Sequence, residues 1–205
     1  MPRHGSAPAE PSEDGRDVQL CLEGSVEAFE PIVRRNASRL IRLSYHLLGD
    51  WEEARDLAQE AFARAYLSLR RYDAHQPFRA WLYTIAARLA ADRLRRRRAW
   101  RRARERMGSP PRAYQPSSEA ALSLKESLGR LTSRQRQAVV LCDLHGFTAA
   151  EASAMIGCSA STVRVLRYLA RRRLALMLGL EAGHSLRRPE IGVAGTDALT
   201  AEDLE

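Results

Sequence analysis

Apolar residues return every three or four positions along most of this chain, the spacing of helices that bury one face. Phe29, Ile32, Val33, Leu40, Ile41, Leu47 and Leu48 form the first long stripe, which Ser25 can cap, Pro31 limits at its first turn and Gly49 stops. Asp50 with Glu53 three residues on reads as a capping box for a second stripe of Ala54, Leu57, Ala58, Ala61, Phe62, Ala65 and Leu69. A loop with turn residues follows at 70–77, and Pro77 suits the first position of a third helix carrying Phe78, Trp81, Leu82, Ile85, Leu89 and Leu94. Three helices with short connections predict a small all-α domain.

The periodicity lapses at 107–118, where Gly108, Pro110, Pro111 and Pro116 mark a flexible linker. Beyond it, Ser118 can cap a helix bearing Ala121, Leu124 and Leu128, and Thr132 with Gln135 boxes another bearing Ala138, Val139, Leu141 and Cys142. His145, Gly146 and Phe147 make a turn, Thr148 with Glu151 caps a short helix ending at Ile156, and Gly157, Cys158 and Ser159 turn into a helix over 160–178. That succession is a helix-turn-helix pattern whose last helix turns Val163, Leu166, Ala170, Leu174 and Met177 inward. The predicted fold class is therefore all-α: two small helical domains, 18–106 and 119–179, joined by the linker, with the helix-turn-helix in the second. The polar stretch 1–17 and the tail 180–205 lack periodicity and are expected to be disordered.

Charge sharpens this outline. Residues 88–106 hold ten arginines against Asp92 and Glu105, a net of +8 that equals the formal charge of the whole 205-residue protein. Arginine forks onto phosphate oxygens, so a dense run continuing a packed helix suits a nucleic-acid backbone, and Trp81, Tyr83 and Trp100 offer faces on which unpaired bases can stack. A solvated charged face is the plainer alternative. Arg164, Arg167, Arg171, Arg172 and Arg173 repeat the theme on the last helix, whereas the tail from Glu181 onward has six acidic residues against Arg187 and Arg188 and is a candidate for folding back on the basic helices. No window has the roughly 18 consecutive apolar residues of a membrane span, and the N-terminus has no signal-peptide core, so a cytoplasmic protein without membrane insertion is expected. Cys21, Cys142 and Cys158 do not describe a disulfide framework, and Cys142, His145 and Cys158 lack the fourth ligand of a zinc site. No nucleophile triad, phosphate-cradling loop or HExxH helix appears, so no catalytic site, no metal and no cofactor is expected.

Four strings in order then resemble one family: GDWEEARDLAQEAFARAY at 49–66, FRAWLYTIAARLAADRLRR at 78–96, LTSRQRQAVVL at 131–141 and GFTAAEASAMIGCSASTVRV at 146–165. They are those of extracytoplasmic-function (ECF) sigma factors, the two-domain bacterial subunits that direct RNA polymerase to promoters. The resemblance implies that core RNA polymerase docks on Asp56, Leu57, Gln59, Glu60 and Phe62, although Leu57 and Phe62 are also read as ordinary core. It implies that the 70–77 loop with Arg79, Trp81, Tyr83, Thr84, Arg88, Asp92 and Arg93 opens and reads the −10 element as a single strand, Trp81 again having a core reading. It also implies that Ser161, Thr162, Arg164, Val165, Arg167, Tyr168 and Arg171 meet the −35 element, and that an anti-sigma factor holds the free protein. The chain departs from the family pattern at Ile85–Arg88, at Glu151–Ser153 and at Leu166 and Leu169, where basic residues are usual. A helix-turn-helix regulator that binds duplex DNA without polymerase is the alternative function.

Overall fold

The computed structural model describes residues 13–73, 76–107 and 123–180. Within them the chain is helical throughout, without a strand: α1 (Glu13–Leu22), α2 (Phe29–Leu48), α3 (Trp51–Leu67), a 3₁₀ turn (Leu69–Arg71), α4 (Phe78–Arg106), α5 (Leu124–Gly129), α6 (Ser133–Val139), a π-turn (Val140–Leu144), α7 (Ala149–Ile156) and α8 (Ala160–Met177). The linker's 108–118, the region around Ser118 and Ala121, Ala74 and His75 of the 70–77 loop, and the acidic tail beyond Leu180 lie outside the described residues.

Local chemistry sets most boundaries. Gly49 closes α2 in the left-handed conformation at φ 81°, which lets the next residue, Asp50, cap α3 by accepting from the Glu53 amide at 3.0 Å. Thr132 with Gln135 and Thr148 with Glu151 form full capping boxes at α6 and α7. Two starts differ from expectation. Ser25 does not cap α2, because its hydroxyl turns to Glu27 and the helix begins at Phe29 behind an uncapped Ala28. Ser123, which the periodicity did not single out, boxes with Glu126 at α5.

The chain is helical from Glu13, inside the 1–17 stretch expected to lack order. The cause is a set of partners distant in sequence: Arg35 donates to Asp14 at 2.9 Å and also to Asp17, Asn36 donates to Asp14 at 3.0 Å, and Val18 is buried against the core. Two acidic residues in the first turn also suit the positive end of the helix.

Helices α2, α3 and α4 form the first half, with Ile32, Leu40, Leu43, Leu57, Phe78 and Leu82 sealed in its core; α6, α7 and α8 form the second around Leu141, Val163 and Leu166. The halves do not stand apart. Their buried side chains run together in one cluster, and α4 packs on α7 and α6 as well as on α3 and α2. Arg136 donates to the Leu47 carbonyl at 2.7 Å, Gln137 to the Ala87 carbonyl at 2.9 Å and Arg79 to the His145 carbonyl at 2.8 Å. Each of these bonds joins a side chain of one half to the backbone of the other, so the seam has a defined register.

Candidate polymerase and nucleic-acid interfaces

Three surfaces gather the residues singled out in the sequence. The first is on α3. Asp56 and Gln59 are exposed, whereas Leu57 is fully buried and Phe62 is 8% exposed. Phe62 meets the edge of Phe29 at 6.5 Å, Phe29 meets Tyr66 at 5.1 Å, and these rings with Val33, Ile41 and Gln59 line a groove of about 510 Å³ between α2 and α3. The α2 side of this groove was missed in the sequence, because its residues read simply as one more core stripe. Glu60 is engaged within the protein: it accepts from Arg93 at 2.8 Å and from Arg64 at 2.7 Å, and the Arg93 bond, with Arg64 adding, holds its carboxyl below the usual range against the opposing effect of burial. Glu53 completes the link between the helices, pairing with Arg97 and offering its carbonyl to Arg93 at 3.1 Å.

The second surface, α4, divides its candidates between faces. Trp81, Thr84, Arg88 and Asp92 fall three, four and four residues apart and so share one face. Trp81 is half-buried against Tyr72 and Phe78 with ring centroids at 5.3 and 5.6 Å, Thr84 bonds the Ala80 carbonyl at 2.9 Å, Arg88 is free in solvent and Asp92 pairs with Arg95. Arg93 turns to α3, as above. Arg79 and Tyr83 point into the seam: Arg79 lies over Phe147 at 4.8 Å and over Tyr83 at 5.4 Å, while Tyr83 is 1% exposed and packs on Phe147 at 5.2 Å. Burial pushes the Tyr83 hydroxyl up, so it remains protonated at neutral pH. Beyond Leu94 the helix leaves the core and carries exposed Arg95, Arg96, Arg101 and Arg102 beside Trp100, 68% exposed.

The third surface is the helix-turn-helix. Gly157, at φ 77°, ends α7, and Ser159 caps α8 by accepting from the Thr162 amide at 3.1 Å. Thr162 is fully buried and Val165 is 7% exposed, so neither side chain faces a DNA groove in this arrangement. Ser161, Arg164, Tyr168 and Arg171 share the outward face at three- and four-residue steps. Arg167 leans back onto Asp143, with Nε to Oδ1 at 3.0 Å. Leu166 is fully buried while Leu169 is half-exposed, so the inward set of Val163, Leu166, Ala170 and Leu174 is the expected one despite the departure from the usual basic residues.

Cys142 is buried, and burial pushes its thiol up. Among the described residues no three His, Cys, Asp or Glu side chains come together as metal ligands, and no helix is long and apolar enough to cross a membrane.

An arginine-rich helix braced beside an apolar groove, followed by a helix-turn-helix, fits a promoter-recognition factor of the sigma class. The matches narrow it. Residues 32–109 match the Sigma-70 region 2 family and residues 121–174 match the Sigma-70, region 4 family. The ECF RNA polymerase sigma factor SigM of Mycobacterium tuberculosis is 34% identical over 170 residues, covering 82% of this chain and 86% of SigM. SigE of Mycolicibacterium smegmatis is 33% identical over 167 residues, which span 74% of this chain and 62% of SigE. In solved structures, the sigma factor RpoE of Bartonella quintana, bound to the anti-sigma factor NepR, superposes with a TM-score of 0.62 at 25% identity, covering 76% of this chain and 99% of RpoE. The chain belongs to the ECF sigma factor family.

Proposed function

We propose that this protein is an alternative sigma subunit that joins core RNA polymerase and directs it to promoters by reading −10 and −35 elements. The observation that carries the reading is the presence of both sigma-70 regions, in order, on one chain. Asp56 and Gln59 supply the polar contacts of the polymerase dock, and Phe62 supplies the rim of the apolar groove they border. Leu57 and Glu60 serve from behind, Leu57 by packing and Glu60 by holding Arg93. Trp81, Thr84, Arg88 and Asp92 form the face for the single-stranded −10 element, with the exposed arginines after Leu94 on the phosphates. Arg79 and Tyr83 join that work only when the seam opens.

At the −35 element, Ser161, Arg164, Tyr168 and Arg171 face the major groove, with the arginines divided between phosphates and guanine edges. Thr162 and Val165 set the pitch of α8 from within, and Arg167 becomes available by leaving Asp143. Opening of the duplex is driven by binding energy, so the subunit is non-catalytic and works in the cytoplasm beside the polymerase. An anti-sigma factor is the natural third partner, given the company in which the Bartonella relative was solved.

Run-off transcription with purified core polymerase, with and without the protein, on fragments of its own genome is the test. Discrete transcripts that require the protein are expected. Binding of duplex DNA with neither polymerase binding nor transcripts would overturn the reading in favour of a helix-turn-helix regulator.

A further inference from the structure

The seam between the halves closes over two imidazoles. His46 comes from the last turn of α2, and His145 ends the π-turn, whose widened backbone, with the His145 amide on the Val140 carbonyl at 3.1 Å, carries the ring to α2 and α4. Nδ1 of His46 faces Nε2 of His145 at 3.5 Å, with the rings edge to face at 5.7 Å. Tyr83 of α4 packs on the other side of His145 at 5.6 Å, and Arg79 of α4 donates to the His145 carbonyl at 2.8 Å.

The charges around this pair are one-sided. Arg42 on α2 acts on both rings, and Arg79 on α4 acts on His145; Arg39 on α2 acts on the neighbouring Tyr83. Of the nearby carboxylates, Asp143 of the π-turn is held by Arg167, Glu151 of α7 caps its own helix at Thr148 while feeling Arg79, and Glu126 of α5, which lines a pocket with His46, Lys125 and Arg136, caps its own helix at Ser123. A proton added to His145 therefore meets Arg79, Arg42 and the buried ring of Tyr83, and one added to His46 meets Arg42, rather than an unengaged counter-ion.

We propose that the His46–His145 pair is an acid-sensitive latch: protonation of either ring opens the seam and frees Arg79, Tyr83 and the α7 edge that they hold. The opening stands on the seam alone; its benefit to −10 binding rests on the function proposed above. Burial pushes His145 down to about 4, with His46, Arg79 and Arg42 adding, and burial followed by Arg42 lowers His46 too. With the seam open, both rings return towards 6.5. The closed form thus binds fewer protons than the open form between these values. Its stability is complete above about pH 6.5 and is lost as pH falls towards 4. For His145 alone, the open-to-closed ratio rises about twentyfold between pH 7 and pH 5.

Small-angle scattering of the full chain at pH 7.5 and 5.0, with circular dichroism alongside, reads this opening without DNA or polymerase. The wild type should expand at pH 5.0 with its helix content unchanged. His145→Phe, which keeps a ring in the seam but cannot take a proton, should remain compact at both pH values. Should that variant lose helix content at pH 7.5, His46→Gln serves in its place, on a half-exposed site of an intact helix, and should expand less than the wild type. An unchanged wild-type radius, loss of helix on acidification, or the same or greater expansion in the folded variant would overturn the latch.

Discussion

Arg136 is a side chain whose role the sequence hides. It is 6% exposed, and its two terminal nitrogens tie the end of α2 to the end of α5 through the Leu47 and Gly129 carbonyls at 2.7 and 2.8 Å. Burial, with Arg98 and Arg97 adding, brings it down to about 10, so it stays charged at neutral pH. Two charge-assisted bonds are set against the desolvation of an arginine without a carboxylate, and Arg136→Met should destabilise the fold by about 1–3 kcal/mol in urea titrations. Thr148→Ala, which removes the α7 cap, should lower stability by about 1 kcal/mol in the same measurement. On α3, Asp56 and Glu60 look alike in sequence, yet only Asp56 is free to meet a partner. Asp56→Ala should weaken core polymerase binding by about tenfold, measured by competition, and Glu60→Ala by clearly less. The carboxylate positions are legible from the motif; the internal partner of Glu60 is not, because Arg93 lies 33 residues away.

For the helix α4, one rotation about its axis decides which of the proposed candidates face solvent and which face the seam. Trp81, Thr84, Arg88 and Asp92 share a solvent-side face, while Tyr83 and Arg79 are turned towards Phe147. Arg88→Ala should therefore weaken binding of a single-stranded −10 oligonucleotide to the holoenzyme and reduce the salt slope by about 0.7, as expected for one lost phosphate contact. Arg164→Ala on α8 should reduce discrimination at one −35 base pair by about 1–3 kcal/mol, read from a mutated-promoter series. Apolar periodicity located these helices and their inner stripes. It could not divide α4 between two outer faces, since Tyr83 is as suited to a base as to a buried edge contact, and only the arrival of Phe147 decides it.

Across the whole molecule, the linked pair of helical domains expected from the pattern is joined by more than its linker. Gln137 and Arg136 reach α4 and α2, and Arg79 reaches back to His145. Charged and amide side chains that bond backbone carbonyls across the seam give it specificity beyond its apolar packing. Gln137→Ala removes one such bond, and should speed amide hydrogen exchange in α7 while leaving exchange in the α2–α3 core unchanged.

The sequence by itself determined the all-α class, the succession of helices with most of their caps, the arginine-rich end of α4, the helix-turn-helix and the likeness to ECF sigma factors. All of these follow from local spacing and local hydrogen bonding, which a linear string carries. The tertiary structure alone decided the helical start at Glu13, the α2 wall of the docking groove, the engagement of Glu60 and Arg167, the burial of Tyr83, Thr162 and Val165, and the meeting of His46 with His145. Those outcomes depend on pairs tens of residues apart, whose energies exist only once the helices have packed together, within each half or, for Tyr83 and the two histidines, across the seam.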